Sequence, residues 1–222
     1  MAAPVNREQA LARLAELEAA LAGLRAVLEA GEPGPAPSPP EGAALPRRMA
    51  WGAKVSAVFR ERVLWIAEDL QIGDSPADGA DKLMTCIAWE SGRSFRPDVK
   101  NMAGSGATGL IQFMPATAKA LGTTVEKLAA MTAEDQLNFV WKYFAPFKGR
   151  LKTLGDLYLA ILWPAGVGKP ESFVLWDRES RPTTYRQNAG LDVNKDGTIT
   201  KAEAAAKVAA LLPEGLKEGN AG

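Results

Sequence analysis

Ser75-Pro76-Ala77-Asp78-Gly79-Ala80-Asp81-Lys82-Leu83-Met84-Thr85-Cys86-Ile87-Ala88-Trp89-Glu90-Ser91 is the stretch on which the fold turns. Ser75 before Pro76 predicts a helix start, with proline pre-set for the first turn and Asp78 complementing the helix dipole. Over the helix expected from Pro76 to Ser91, Leu83, Ile87 and Glu90 fall at i, i+4 and i+7 and share a face. A glutamate on an apolar stripe is unusual, because unpaired burial of its charge is costly. Apolar surroundings and the negative end of the helix dipole both favour its protonated form, the form a general acid needs. On periodicity alone the alternative stays open: a terminal-turn glutamate that bends out to solvent or pairs with Arg93 or Arg96.

Downstream lies a Gly-rich loop, Gly104-Ser105-Gly106-Ala107-Thr108-Gly109-Leu110-Ile111-Gln112-Phe113-Met114, and then Pro115 at a helix start. Glu90-Ser91 followed by Gly109-Leu110-Ile111-Gln112, with Phe113-Met114-Pro115 and Thr117-Ala118 continuing, resembles lytic transglycosylases and related phage muramidases (endolysins) with a goose-type lysozyme-like fold. The resemblance covers about Leu83 to Ala118 and, more loosely, the chain to Gly168. It implies a mostly α, lysozyme-like helical domain acting on the glycan strands of peptidoglycan. Glu90 would be the catalytic acid/base, and Gln112 and Met114 would line the glycan groove. Gly106 and Gly109 would let the backbone approach the sugar.

The sequence also departs from the family. Ala103 stands where a serine is frequent, and Ser105, close but out of register, becomes the substrate-binding candidate there. The Ala-Tyr-Asn motif is absent; the matching region, Tyr158-Leu159-Ala160-Ile161-Leu162-Trp163, resembles certain phage enzymes. Tyr158 either supplies an aromatic hydroxyl to the substrate or packs in the core, and Tyr143 and Trp163 are further groove candidates. The implied reaction cleaves a MurNAc–GlcNAc bond and closes a 1,6-anhydro ring, one carboxyl group serving twice and no cofactor being needed. The competing reaction is hydrolysis by an inverting pair, with a second carboxylate roughly 6.5–9.5 Å away; Asp98, Asp135 and Asp156 are the carboxylates available.

Composition narrows the chemistry. The chain of 222 residues has 47% apolar and 23% charged residues, which is ordinary globular make-up with room for one good-sized domain and appendages. It has no histidine, which excludes Ser-His-Asp and Cys-His nucleophile systems and the usual His-bearing zinc site. Its one cysteine, Cys86, cannot form an intramolecular disulfide and reads as a buried structural thiol. Zero formal net charge gives no argument for nucleic acid. No apolar run approaches the ~18 residues of a membrane span, and no signal peptide is evident. The expectation is synthesis in a host cytoplasm and action on periplasmic peptidoglycan, with release by a holin or delivery by a virion.

Four segments are expected. Residues 1–31 carry Leu14, Leu17, Leu21, Leu24 and Leu28 at spacings of three and four, a helix that either self-associates as a short coiled coil or packs on its own domain. Residues 32–48 form a Pro-rich linker, and residues 49–181 the catalytic domain. There Val55, Val58, Phe59, Val63 and Ile66 predict a first helix. Thr132/Asp135 and Thr153/Asp156 predict capping boxes for two later ones, the second leading into a buried core helix in the run Leu157–Val167, which Pro164 and Gly166 interrupt.

Residues 182–215 form an EF-hand-type loop-helix. Asp192, Asn194, Asp196, Thr198 (through its carbonyl) and Glu203 stand at positions 1, 3, 5, 7 and 12, and Gly197 at the turn. Hard oxygens in this order suit a structural Ca²⁺. The helix before the loop reads poorly, with Pro182 and a short Thr-Tyr-Arg-Gln run; the one after it is expected over Ala202–Leu212. Two other function classes stay open: a non-catalytic glycan- or calcium-binding module in which Glu90 is incidental, and a structural particle component assembled by its leucine helix.

Overall fold

The computed structural model of the chain describes residues 48–101 and 104–222. The leucine helix expected over 1–31 and nearly all of the linker lie outside the described residues. What is described is mostly helical, in keeping with a lysozyme-like domain.

Helix α1 (Ala57–Asp69) starts where the Ser56 hydroxyl accepts from the Phe59 N–H, and it buries Phe59, Val63, Leu64, Ile66 and Ala67. Two residues expected on its apolar face are elsewhere: Val55 precedes the helix and Val58 is 51% exposed. Helix α2 (Pro76–Glu90) lies along α1, with Ser75 as its cap and Pro76 in its first turn. Gly79 allows the approach, since a Cβ there would lie 2.3 Å from the Ile72 carbonyl oxygen. Leu83, Met84, Cys86 and Ile87 are fully enclosed, and Cys86 is a free thiol as expected.

Short helices α3 (Pro115–Ala120) and α4 (Val125–Ala129) lead into α5 (Ala133–Phe144), which packs on α1. Thr132 caps α5 by accepting from the Asp135 N–H, but the box is not reciprocal: the Asp135 carboxylate takes the Thr132 hydroxyl instead of its backbone N–H. Thr153 and Asp156 do form the full box at the start of α6 (Leu154–Leu162). That helix stops well short of Val167. Pro164 has no N–H to donate and disfavours helical backbone at Trp163, so the chain leaves through a 3₁₀ turn, Pro164–Gly166.

The C-terminal part folds back over α6. Strands β1 (Val174–Asp177) and β2 (Thr198–Thr200) pair antiparallel, flanking helix α7 (Pro182–Asn188) in the chain. Helices α8 (Lys201–Ala209) and α9 (Leu211–Gly215) replace the single helix expected over Ala202–Leu212. Pro213, which cannot donate to Ala209, accounts for the break. Helix α8 rests on α6, and Val208 packs with Cys86, Leu154 and Tyr158. The chain ends of the described unit hold each other: Met49 N–H donates to Gly222 O (2.9 Å), and Trp51 N–H to Gly215 O (2.9 Å). No helix among the described residues is long and apolar enough to cross a membrane.

Candidate active site

Glu90 is the last residue of α2, and the backbone beyond it turns sharply. Ser91 N–H donates to Ile87 O, and Gly92 and Arg93 both take left-handed conformations. Ser91 is buried, and its hydroxyl oxygen accepts from the Phe95 N–H at 3.1 Å, seating Phe95 against Trp51 and Phe59. The two cations that could have neutralised Glu90 are engaged elsewhere. Arg93 pairs with Glu214 at 2.9 Å, and Arg96 grips Asp98 through two hydrogen bonds. Burial alone therefore acts on Glu90 and pushes its carboxyl up to about 8, so the acid is protonated at neutral pH.

The opposite wall is a ribbon rather than a simple loop. Gly109 N–H donates to Val99 O (2.8 Å), and Thr108 and Phe113 exchange N–H to O bonds of 3.0 and 2.9 Å, so Thr108 is bridged antiparallel to Lys100 on one side and to Phe113 on the other. Gln112 sits at φ 53°, a conformation costly for a residue with a Cβ and common at functional sites. Its carboxamide donates to Val99 O (3.2 Å) and Gly109 O (3.1 Å), tying the ribbon together beneath the groove.

Between ribbon and helices lies a groove of about 370 Å³. The expected acid and the four expected substrate-binding residues border it (Glu90, Ser105, Gln112, Met114 and Tyr158), and so does the further candidate Tyr143. The Tyr143 hydroxyl is committed to Ala160 O at 2.8 Å, and Tyr158 stands edge-on to Trp89 with ring centroids 6.3 Å apart. Burial, and then the proximity of Glu90 and Cys86, holds both phenols well above their ordinary range, so they stay neutral. Ser105 accepts from the Ala107 N–H at 3.3 Å and shapes the turn.

Three expectations need correction. Trp163 does not border the groove; it packs on Trp176 with centroids 5.6 Å apart, under the Arg181 guanidinium. Gly109 does not make room for a sugar, because a Cβ there would lie 2.4 Å from the Gln136 side chain. The carboxylates considered as partners for Glu90 are also absent from the groove. Asp98 is held by Arg96, Asp135 lies at the α5 cap near Arg62, and Asp156 is buried against Lys201. Among the described residues lining the groove, Glu90 is the only carboxylate.

Gln136 escaped the sequence reading. Fully enclosed, its carboxamide accepts from the Leu110 N–H (2.7 Å) and donates to Pro97 O (3.0 Å) and Leu128 O (2.9 Å). It thus fastens the ribbon to α4 and to the segment after Glu90. A signal existed: Gln136, Val140 and Phe144 lie four apart on the apolar face of α5. Asn101 and Trp89 also border the groove and went unnamed; an exposed polar residue and a lone aromatic have no periodicity to mark them.

With this geometry in view, residues 74–160 match the family described as Transglycosylase SLT domain. No curated protein and no solved structure matches the chain. The matched segment contains α2 with Glu90, the ribbon, and α6 as far as Ala160. Members of that family are lytic transglycosylases acting on peptidoglycan, and the matched segment holds Glu90 and most of the groove lining.

Proposed function

We propose that the enzyme cleaves the MurNAc–GlcNAc β-1,4 bond with Glu90 as its single acid and base. Protonated Glu90 donates to the leaving glycosidic oxygen as an oxocarbenium-like state forms. The resulting carboxylate then takes the proton of the same sugar's C6 hydroxyl, whose oxygen closes on C1 to give a 1,6-anhydroMurNAc end. Gln112, Met114, Ser105 and Tyr158 contact the strand. The observation that carries this reading is that Glu90 is the lone carboxylate among the described residues lining the groove: an inverting hydrolase needs a second one to activate water, and Asp98, Asp135 and Asp156 are each engaged away from the groove.

The test is mass spectrometry of muropeptides released from purified sacculi by the wild type and by Glu90→Gln. Products one water lighter than hydrolysis products, absent with the variant, are expected. Reducing-end products would establish a hydrolytic muramidase instead, and no release by the wild type would favour a non-catalytic role. The setting we propose is phage lysis or a virion-associated enzyme, supported by the likeness of the Tyr158–Trp163 stretch to phage enzymes. A role for residues 1–31 in self-association is tested by sedimentation with and without residues 1–46.

A further inference from the structure

The loop from Asp192 to Glu203 is unaccounted for by glycan cleavage. Asp192 is nine-tenths buried, with 6% of its surface exposed. One carboxylate oxygen accepts from the Tyr185 hydroxyl and from the Gly197 N–H across the loop (3.1 Å). The other, Oδ1, is shielded from solvent and accepts from nothing. A buried carboxylate oxygen with no donor is costly, and a cation is the partner that would offset it.

The rest of the loop supplies hard oxygens around that atom's carboxyl. Lys195 (φ 60°) and Gly197 (φ 91°) are left-handed, which curls the chain. Asn194 Oδ1 accepts from the Asp196 N–H and Asp196 Oδ1 from the Thr198 N–H, at 2.9 and 2.8 Å. Glu203 reaches back over the loop: one oxygen caps Thr200 (3.0 Å to its N–H), and the other lies 3.5 Å from the Asn194 N–H. Among the described residues no three carboxylates stand together closely enough to hold an ion by themselves, so Asn194 and the Thr198 carbonyl would have to complete the donor set. The second half of the loop is β2, held against β1 with Ile199 fully enclosed opposite Trp176. Arg178 lies over the Tyr185 ring at 5.2 Å, and its charge acts on Asp192 and Asp196.

We propose that Asp192, Asn194, Asp196, the Thr198 carbonyl and Glu203 bind one Ca²⁺, and that the ion clips the β1–β2 and α8 unit onto the helices bearing the groove. Hard oxygens from carboxylates, an amide and a carbonyl suit Ca²⁺, which takes about six to eight of them in flexible geometry; Mg²⁺ demands a stricter octahedron. The clip bears on the groove wall because α8, which begins beside the loop, carries Lys201 to Asp156 and Val208 to Tyr158.

Neither readout of the test uses glycan cleavage. Full-length protein freed of divalent ions with a chelator is titrated with CaCl₂ by calorimetry, and its melting temperature is followed alongside. One ion per chain is expected, with Kd in the weaker part of the EF-hand range, roughly 10⁻⁵–10⁻³ M. At a hundredfold excess over Kd the melting temperature should rise by about 5–10 °C. Glu203→Gln keeps a glutamine able to cap Thr200 but loses a charged ligand, so its calcium affinity should fall at least tenfold while it stays folded; Asp196→Ala should do the same. No saturable uptake by the wild type up to 10-fold above that range, uptake unchanged in both variants, or an equal response to MgCl₂ would each overturn the assignment.

Discussion

Two acids, Glu90 at the end of α2 and Asp156 at the start of α6, stand in opposite circumstances. Glu90 ends α2 among apolar side chains with its neighbouring arginines turned away, and burial raises its carboxyl to about 8. Asp156, at the start of α6, is 3% exposed. Its burial too would raise the carboxyl, but hydrogen bonds from Lys201, Gly168 and Thr153, with the Lys201 charge, outweigh that and hold it below the usual range. Burial is common to both; the partners decide which acid keeps its proton. A groove acid without partners is available for chemistry, whereas a paired one fastens two segments.

The largest effect should come from removing the unpaired acid. Glu90→Gln is expected to lower turnover on sacculi by about 10²–10⁴-fold, the usual share of a general acid, with stability at pH 5 little changed; a loss under tenfold would move the catalytic role elsewhere. Next comes the paired acid's partner. Lys201→Met leaves Asp156 charged and enclosed, and chemical denaturation should show a loss of about 3–5 kcal/mol. A loss below ~1 kcal/mol, as for an exposed pair, would mean water reaches that junction. Replacing both residues with apolar ones should recover part of the loss.

Gln136→Leu comes third, because it strips partners from the Leu110 N–H and two carbonyls. Stability should fall by about 1–3 kcal/mol, and turnover on sacculi should fall several-fold further than in an equally destabilised core variant such as Val140→Ala. Equal losses in the two would reduce Gln136 to a structural role. The pH dependence is the sharpest discriminator. The unfolded chain releases the Glu90 proton near pH 4.5 and the folded chain keeps it to about 8, so stability falls as pH rises across that window, and Glu90→Gln should flatten the fall. Activity should drop about tenfold per pH unit above 8. For Asp156 the sign reverses: its contribution is present above the ordinary 3.8 and is lost as pH falls through its lowered folded value. Melting curves from pH 2 to 10 on Glu90→Gln and Asp156→Asn should therefore diverge at opposite ends.

Much of the fold was legible because its signals are local. Ser75-Pro76, Thr153 with Asp156, and the i, i+4, i+7 stripe ending in Glu90 each act within one or two turns, and the helices begin where those residues stand. The groove residues Gln112 and Met114 were legible through motif order, though no local rule anticipates a ribbon bridged to itself on both sides of Thr108 or a glutamine at φ 53°. The misses were long-range. Trp163 turned to Trp176 and Gly109 made way for Gln136; the early ends of α6 and α8 are a separate, local matter, set by Pro164 and Pro213.

By itself the sequence determined the chemistry available: with no histidine and one cysteine, the work falls to carboxylates, hydroxyls or lysines, and helix periodicity together with the order of the Glu90-Ser91 and Gly109-Leu110-Ile111-Gln112 motifs pointed to Glu90. Only the tertiary structure decided that Glu90 stays unpaired. That outcome depends on where Arg93 and Arg96 find their partners, on Gln136 holding the ribbon, and on Lys201 claiming Asp156 from 45 residues away. A carboxyl group's proton affinity is set by the charges and donors that reach it in space, and those contacts exist only once the chain has folded.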